Sequence, residues 1–156
     1  MDKTGTFKGR EIRKTLVFNP GHGFIPTALS RLCKVDEINL VGRDLEALRA
    51  SRRNLILNGH DSEKIFLFHD VSFSKFSAGS IDLVQGILDD KEDSNVHIEF
   101  IKELSEKLSD RGFIVIASGS TPITRIESFV RKEKILEVVE RHKSKGKSII
   151  VMKHKI

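Results

Sequence analysis

Short apolar runs alternate with longer amphipathic stretches along most of the chain. Runs of β-type residues lie at 16–18, 38–41, 65–68, 81–84 and 113–117. Between them, apolar residues recur at helical spacing over 25–32, 44–58 and 96–108, and a shorter helix is predicted over 122–132. Asp44 is a typical N-cap, and Asn58-Gly59 is a typical helix end. Such alternation is typical of a mostly parallel α/β sheet with helices on both faces.

The last part of the chain departs from this alternation. Two β-type runs, 135–139 and 148–152, are joined by a polar turn around residues 144–147, with no helical pattern between them. Two strands joined in this way pair antiparallel. We therefore expect a single α/β domain over residues 1–156, mostly parallel, with a C-terminal antiparallel hairpin.

Composition limits the class of protein. The 156 residues are 38% hydrophobic and 31% charged, which is typical of a soluble globular domain. There is no apolar run of roughly 20 residues that could span a membrane, and the first residues lack the apolar core of a secretion signal. The single cysteine, Cys33, excludes an internal disulfide and suits the reducing cytoplasm. Five of the histidines have no metal-ligand spacing: His60, His69, His97, His142 and His154. We therefore expect a cytoplasmic protein with no membrane span and no metal.

Charge is unevenly distributed along the chain. The net charge is +5, and residues 141–156 contain no acid, whereas residues 89–93 form an acidic cluster. A basic tail favours a polyanionic partner such as RNA. An ordinary solvated basic surface explains the same composition, so both interpretations stay open at this point.

The stretch TLVFNPGHGFI, residues 15–25, is the strongest local signal. Gly21 and Gly23 lie where a predicted strand turns into a predicted helix, and glycines there let the backbone approach a ligand at a helix N-terminus. The dinucleotide fingerprint G-x-G-x-x-G is absent because Pro26 occupies the third glycine position. No Gly-Lys-Ser/Thr follows the loop, as a phosphate-binding P-loop would require.

Together with four further segments, this loop gives the chain a family resemblance. The segments are LVGRDLEALRASRRNLILNG, FHDV, SIDLVQG and FIKELSEKLSDRGFIVIASG. Over roughly residues 8–155 the sequence resembles the class I S-adenosylmethionine-dependent methyltransferases, and within them the guanine-N2 methyltransferases of small-subunit ribosomal RNA. The resemblance implies a Rossmann-like fold and S-adenosylmethionine as cofactor. It implies cofactor contacts from Asn19, Pro20, Gly21, His22, Gly23, Gly42, Arg43, Asp70, Val71 and Gln85.

The resemblance is weaker where the family carries its chemistry. The family's acid at the end of the second strand, which binds the ribose hydroxyls, falls on Gly42. Its first-loop aspartate falls on Asn19, and its third loop glycine falls on Ile25. The Asn-Pro-Pro-Phe segment of these RNA methyltransferases, which accepts hydrogen bonds from the target amine, falls on residues 87–90, Ile-Leu-Asp-Asp. No catalytic residue is assigned.

Two functions therefore stay open. The first is an S-adenosylmethionine-dependent methyltransferase with degenerate motifs and RNA as the favoured substrate class. The second is a catalytically inactive methyltransferase-like domain that binds RNA or protein, alongside a second methyltransferase-like domain or subunit. An enzyme predicts an open crevice over Gly21 with Asp70 pointing into it, whereas an inactive domain predicts that Phe24, Ile25 or Ile87 fills that crevice.

Overall fold

A computed structural model of the chain describes residues 11–20, 34–144 and 146–155. The described residues form seven strands and three α-helices, with a short 3-10 helix at Ser62–Lys64 before the third strand. In chain order these elements are β1 (Glu11–Phe18), β2 (Lys34–Gly42), α1 (Leu45–Leu57), β3 (Ile65–His69), β4 (Ile81–Ile87), α2 (Ser94–Lys107), β5 (Leu108–Gly119), α3 (Ser120–Glu133), β6 (Leu136–Ser144) and β7 (Lys147–His154).

The strands form one sheet with the order β3-β2-β1-β4-β5-β7-β6. β1 pairs with β2, β2 with β3 and β4 with β5 in parallel, whereas β7 pairs antiparallel with both β5 and β6. The predicted α/β fold, mostly parallel with a C-terminal antiparallel hairpin, is confirmed.

The chain divides into two compact units, and the first is Met1–Ser72. Its described part holds β1, β2, β3 and α1. Leu48 and Leu55, one helical face of α1, are fully buried against Val17, Leu40 and Ile65 of the three strands. Burial of these apolar faces fixes α1 over the sheet and so fixes the position of its first turn.

The second unit is Phe73–Ile156 and holds the other four strands with α2 and α3. β5 is buried continuously from Gly112 to Ile116, as its unbroken apolar sequence predicts for a central strand. α2 buries Ile101 and Leu104, and α3 buries Ile123, Ile126 and Val130. These helices cover the strands and position the loops that follow β4 and β5.

The boundary between α2 and β5 differs from the prediction. Leu108 was expected on the helix, but α2 ends at Lys107, and Leu108 pairs with Ile81 at the start of β5. Leu108 is 2% exposed there, and its side chain fills the space beside Gly112, where an added Cβ would lie 2.5 Å from Leu108 Cδ1. Strand pairing thus buries Leu108 fully, whereas helical spacing alone cannot distinguish the two placements. The predicted helix over 25–32 and Cys33 lie outside the described residues.

Candidate functional site

The carboxyl ends of β1, β2 and β3 meet at one edge of the first unit. The backbone N–H of Asn19, just after β1, donates to the carbonyl of Val41 on β2 at 3.0 Å. The N–H of Asp70, just after β3, donates to the carbonyl of Gly42 at 3.1 Å. Six residues named by the resemblance lie at or directly after these strand ends: Asn19, Pro20, Gly42, Arg43, Asp70 and Val71. Parallel pairing brings together positions that are far apart in the sequence.

The turn after β1 is set by Asn19. Its φ of 48° lies in the left-handed region, which asparagine adopts more readily than most residues. The turn leads into the buried Pro20, whose Cδ lies 3.8 Å from the place of a Cβ on Gly42. The next predicted contacts, Gly21, His22 and Gly23, lie outside the described residues, as do Phe24 and Ile25.

Among the residues that the structure describes, no carboxylate stands at the end of β2. The strand ends at Gly42, and the nearest acid along the chain is Asp44. Asp44 is the N-cap of α1, and its Oδ1 accepts from the N–H of Glu46 at 3.0 Å and of Ala47 at 3.1 Å. Asp44 therefore satisfies the helix terminus and does not replace an acid at position 42. Arg43, between them, is exposed, and its carbonyl oxygen lies 2.6 Å from Nε2 of His69.

Asp70 and Val71 form the third part of this edge. Oδ1 of Asp70 accepts from the N–H of Val71 at 2.7 Å and from that of Ser72 at 3.3 Å. This carboxylate therefore orders the turn after β3. Val71 is 57% exposed, which is high for a valine that follows a sheet strand. An acceptor carboxylate beside an exposed apolar side chain suits a purine, whose amine donates and whose ring is apolar.

The tenth residue named by the resemblance, Gln85, lies in the second unit. It is 2% exposed on β4, and within the described part of the chain its Oε1 has no hydrogen-bond partner. A buried amide oxygen without a partner costs about 1–3 kcal/mol. Gln85 is therefore an acceptor that a bound donor would satisfy. Two residues further on, Ile87 is 37% exposed, and Leu88 is buried.

The loop after β4 is fixed by Asp90. Oδ1 of Asp90 accepts from Oγ of Ser118 at 2.8 Å and from the N–H of Gly119 at 2.7 Å. The hydrogen bond from Ser118, then the one from Gly119, and the positive charge of Lys147 hold the pKa of Asp90 below its usual value. A Cβ on Gly119 would lie 2.7 Å from Oδ2 of Asp90, so a side chain at this position would displace the carboxylate. We refer to Asp90, Ser118 and Gly119 as the Asp90 cluster.

Asp89 and Asp93 of this loop also bind backbone N–H groups. Asp89 accepts from the N–H of Lys91 at 2.9 Å, and Asp93 caps α2 through the N–H of Asn95 at 2.8 Å. His97, one turn into α2, is 2% exposed, and its Nε2 lies 3.1 Å from the carbonyl of Asp89. The sequence analysis did not identify this role of His97. Its signal was a histidine on the apolar face of the helix, one turn after the capping aspartate.

Neither a metal nor a membrane span emerges from the described part of the chain. No group of three or more His, Cys, Asp or Glu side chains there is placed to share a metal ion. No helix there is long and apolar enough to cross a membrane.

Comparisons by sequence and by structure give different results. No protein-family model and no curated protein matches the chain. Among solved structures, a ribosomal protein L11 methylase from Lactobacillus delbrueckii subsp. bulgaricus matches with a TM-score of 0.76 at 15% identity, over 94% of this chain and 72% of that one. An rRNA methylase from Streptococcus thermophilus matches with a TM-score of 0.70 at 13% identity, over 97% and 92%.

The chain has the class I methyltransferase fold. A third similar structure, from Streptococcus mutans and assigned as a methyltransferase, contains SAH; its TM-score is 0.71 at 14% identity, over 96% of this chain and 92% of that one. The names of the first two structures cover a protein and an RNA, so the shared fold does not select the methyl acceptor. The guanine-N2 subgroup and the second methyltransferase-like domain or subunit stay predictions.

Proposed function

We propose that the chain is an S-adenosylmethionine-dependent methyltransferase-like protein with RNA as its favoured substrate class. The meeting of Asn19, Gly42 and Asp70 at the carboxyl edge of β1, β2 and β3 carries the proposal. In parallel α/β sheets, ligands bind at this edge. A structure with the same fold that contains SAH supports the choice of cofactor.

Residues at the end of β3 fit the purine part of the cofactor. Asp70 is half-buried, and its Oδ1 orients the carboxylate towards the following backbone N–H groups. We assign its Oδ2 as acceptor for the adenine amine, with the exposed Val71 packing against the ring. When bound, S-adenosylmethionine supplies an activated methyl group, and these residues hold and orient its adenosine part. The contact from Gln85, which lies in the other unit, stays a prediction.

The ribose part is held less well. Gly42 offers no side chain, and Asp44 is engaged by the first turn of α1. Two charge-assisted hydrogen bonds to the ribose, of about 1.5–3 kcal/mol each, are missing. Hydrogen bonds from water to the ribose hydroxyls offset part of this loss. We therefore expect S-adenosylmethionine to bind about tenfold to hundredfold more weakly than it would with an acid at position 42.

One observation favours a second function, an inactive methyltransferase-like domain that binds RNA or protein. At the positions of the Asn-Pro-Pro segment, Leu88 is buried and the carboxylate of Asp90 is held by Ser118 and Gly119. Ile87, the last residue of β4, takes the position of the family's asparagine and has no group that accepts a hydrogen bond from an amine. Position 87 therefore cannot hold a target amine as that asparagine does.

Calorimetric titration of the full chain with S-adenosylmethionine and S-adenosylhomocysteine tests the proposal. We expect binding, and we expect Asp70→Asn to weaken it about tenfold because one charge-assisted hydrogen bond is lost. Asp61→Asn is the matched control, since Oδ1 of Asp61 accepts from the N–H of Glu63 at 2.9 Å in a similar turn away from the strand ends. Its affinity should stay within about twofold of the wild-type value.

Two outcomes separate the functions. If neither ligand binds up to millimolar concentration, the cofactor site is vestigial and the inactive domain is favoured. If the cofactor binds, transfer of its labelled methyl group to ribosomal RNA is measured next. Binding without transfer to RNA would leave the cofactor assignment standing and remove RNA as methyl acceptor.

A further inference from the structure

We propose that the outward face of α3 and the turn between β6 and β7 form one surface that binds the phosphate backbone of RNA. The inference rests on the proposed function for its partner class. We refer to this surface as the α3–hairpin surface; it consists of Thr121, Arg125, Ser128, Lys132, Lys143 and Lys147, all of which are exposed.

The outward face of α3 presents cations and hydroxyls. The inward face is the buried set of Pro122, Ile123, Ile126 and Val130. Opposite that set lie Thr121, Arg125, Ser128 and Lys132, which follow one another at helical spacing. No acid belongs to this outward row. The two glutamates of α3 lie off it, and Glu127 is turned towards Arg141, at 3.3 Å. Lysine, arginine and hydroxyl side chains are the usual contacts to phosphate oxygens.

In the described part of the basic tail, residues 141–156, some cations form ion pairs with carboxylates and others do not. Along the strands, Arg141 pairs with Glu127 at 3.3 Å and Lys153 with Glu137 at 3.3 Å. At the turn, Lys143 and Lys147 are both exposed, and no carboxylate of the described residues lies within ion-pair distance of either. Lys155, at the other end of β7, is exposed as well, so two of the three exposed lysines in the described part of the tail lie at the hairpin turn.

Strand register places this turn next to the beginning of α3. Lys147 on β7 pairs with Gly119 on β5, and Gly119 is the residue before α3. On the neighbouring strand β6, Lys143 pairs with Ser148, the residue after Lys147. Lysines of the turn and the outward row of α3 are thus continuous.

Acidic residues lie next to the α3–hairpin surface, in the loop after β4 and on α2. Asp90 lies close enough to Lys147 for its pKa to be lowered by it, and Asp89, Glu92 and Asp93 follow in the same loop. The helix next to α3, α2, exposes Glu99 and Glu106. A polyanion is therefore directed along α3 and the turn, away from the loop after β4 and from α2. The row from Thr121 to Lys132 is about 16 Å long, which suits a repeating phosphate backbone better than a single carboxylate cluster.

Binding of a short labelled single-stranded RNA, measured by fluorescence anisotropy at several salt concentrations, tests this surface. The test variant is Arg125→Gln/Lys143→Gln/Lys147→Gln. The matched control is Arg49→Gln/Lys102→Gln/Lys153→Gln, which removes the same charge from residues that are ion-paired with Glu46, Glu99 and Glu137. Both variants are first checked for unchanged thermal unfolding.

We expect the test variant to lower the slope of log affinity against log salt by about 2, since each lost phosphate contact contributes roughly 0.7 for single strands. Its affinity near physiological salt should fall about tenfold or more, whereas the control should change less than about threefold. Equal losses in both variants would mean that RNA senses only total charge, and would overturn the proposal. The proposal would also be overturned if the wild-type chain bound no RNA at low salt. The same holds if the chain bound polyglutamate and RNA did not displace it. Calorimetry with the cofactor is independent of all these outcomes.

Discussion

Substitution of Gly42 by aspartate tests the assignment of the cofactor edge most directly. Gly42 ends β2 at the position where the resemblance places an acid. An added Cβ would lie 3.4 Å from Cδ2 of Leu48 and 3.8 Å from Cδ of Pro20, which are ordinary contact distances. The backbone at Gly42 does not have the positive φ of Gly59, Gly79 and Gly146. The backbone and the immediate packing therefore accept a Cβ here.

The expected gain follows from two new hydrogen bonds. A carboxylate that accepts from both ribose hydroxyls gains about 1.5–3 kcal/mol for each bond before its own desolvation is subtracted. A net gain of about 1.4–2.8 kcal/mol tightens binding about tenfold to hundredfold. Without ligand the same carboxylate is in a largely buried position, and its desolvation should lower the free energy of unfolding by about 1–3 kcal/mol.

Calorimetry and thermal unfolding measure the two effects. Gly42→Asp should lower the melting temperature of the free chain, and S-adenosylhomocysteine should raise it by more than it does in the wild type. Gly42→Asn is the control, because it has nearly the same shape without the charge. We expect the asparagine variant to bind the ligand no more than about threefold more tightly than the wild type, since neutral hydrogen bonds are weaker.

Two results would refute the reasoning. If the wild type binds the ligand and Gly42→Asp binds it no better than Gly42→Asn, the ribose does not lie at the end of β2. If both variants are folded and bind nothing, the edge formed by Asn19, Gly42 and Asp70 is not a cofactor site.

Two further predictions concern the Asp90 cluster. Gly119→Ala places a Cβ 2.7 Å from Oδ2 of Asp90 and should lower stability in urea unfolding. Adding Asp90→Ala should recover part of that loss. A Gly119→Ala variant as stable as the wild type would contradict the contact. The pKa of Asp90 is lower in the folded chain than usual, so its contribution to stability is present above the unfolded pKa and is lost as pH falls through the folded pKa. The stability difference between wild type and Asp90→Asn should therefore shrink on acidification, and a constant difference would contradict it.

Local sequence signals were sufficient for the helix caps and most strands. Asp44 and Asn58 cap α1 where the sequence predicts, and Gly59 takes the positive φ expected after a helix end. The runs at 16–18, 38–41, 65–68 and 81–84 all lie within strands. These features depend on residues that are close together along the chain, so they can be predicted from the sequence alone.

Bounds that depend on pairing could not be obtained in this way. β1 begins at Glu11 and β2 at Lys34, well before the apolar runs inside them, because their polar ends pair with each other in the parallel register. The apolar pattern of α2 includes Leu108, but pairing with Ile81 draws that residue into β5. Hydrophobic periodicity reports burial, and a residue can be buried equally well in either element.

The candidate site shows the same division. The resemblance named Asn19, Gly42 and Asp70 as contacts of one cofactor, and they lie at or directly after the ends of three different strands. It could not say how each side chain is engaged. An aspartate in the sequence can be a ligand, a cap or a loop anchor, and only its hydrogen-bond partners distinguish these roles.

The sequence by itself determined the order of elements, their alternation and the family resemblance, because these follow from periodicity and local motifs. Tertiary structure alone decided that the carboxylate of Asp90 accepts from the N–H of Gly119, and that Arg141 and Lys153 of the tail are ion-paired with Glu127 and Glu137. Partners such as Asp90 and Gly119, or Lys153 and Glu137, are distant in the sequence and meet only when strands pair. Charge and hydrogen bonding at the two candidate surfaces are therefore products of the fold, since neighbours in space fix them.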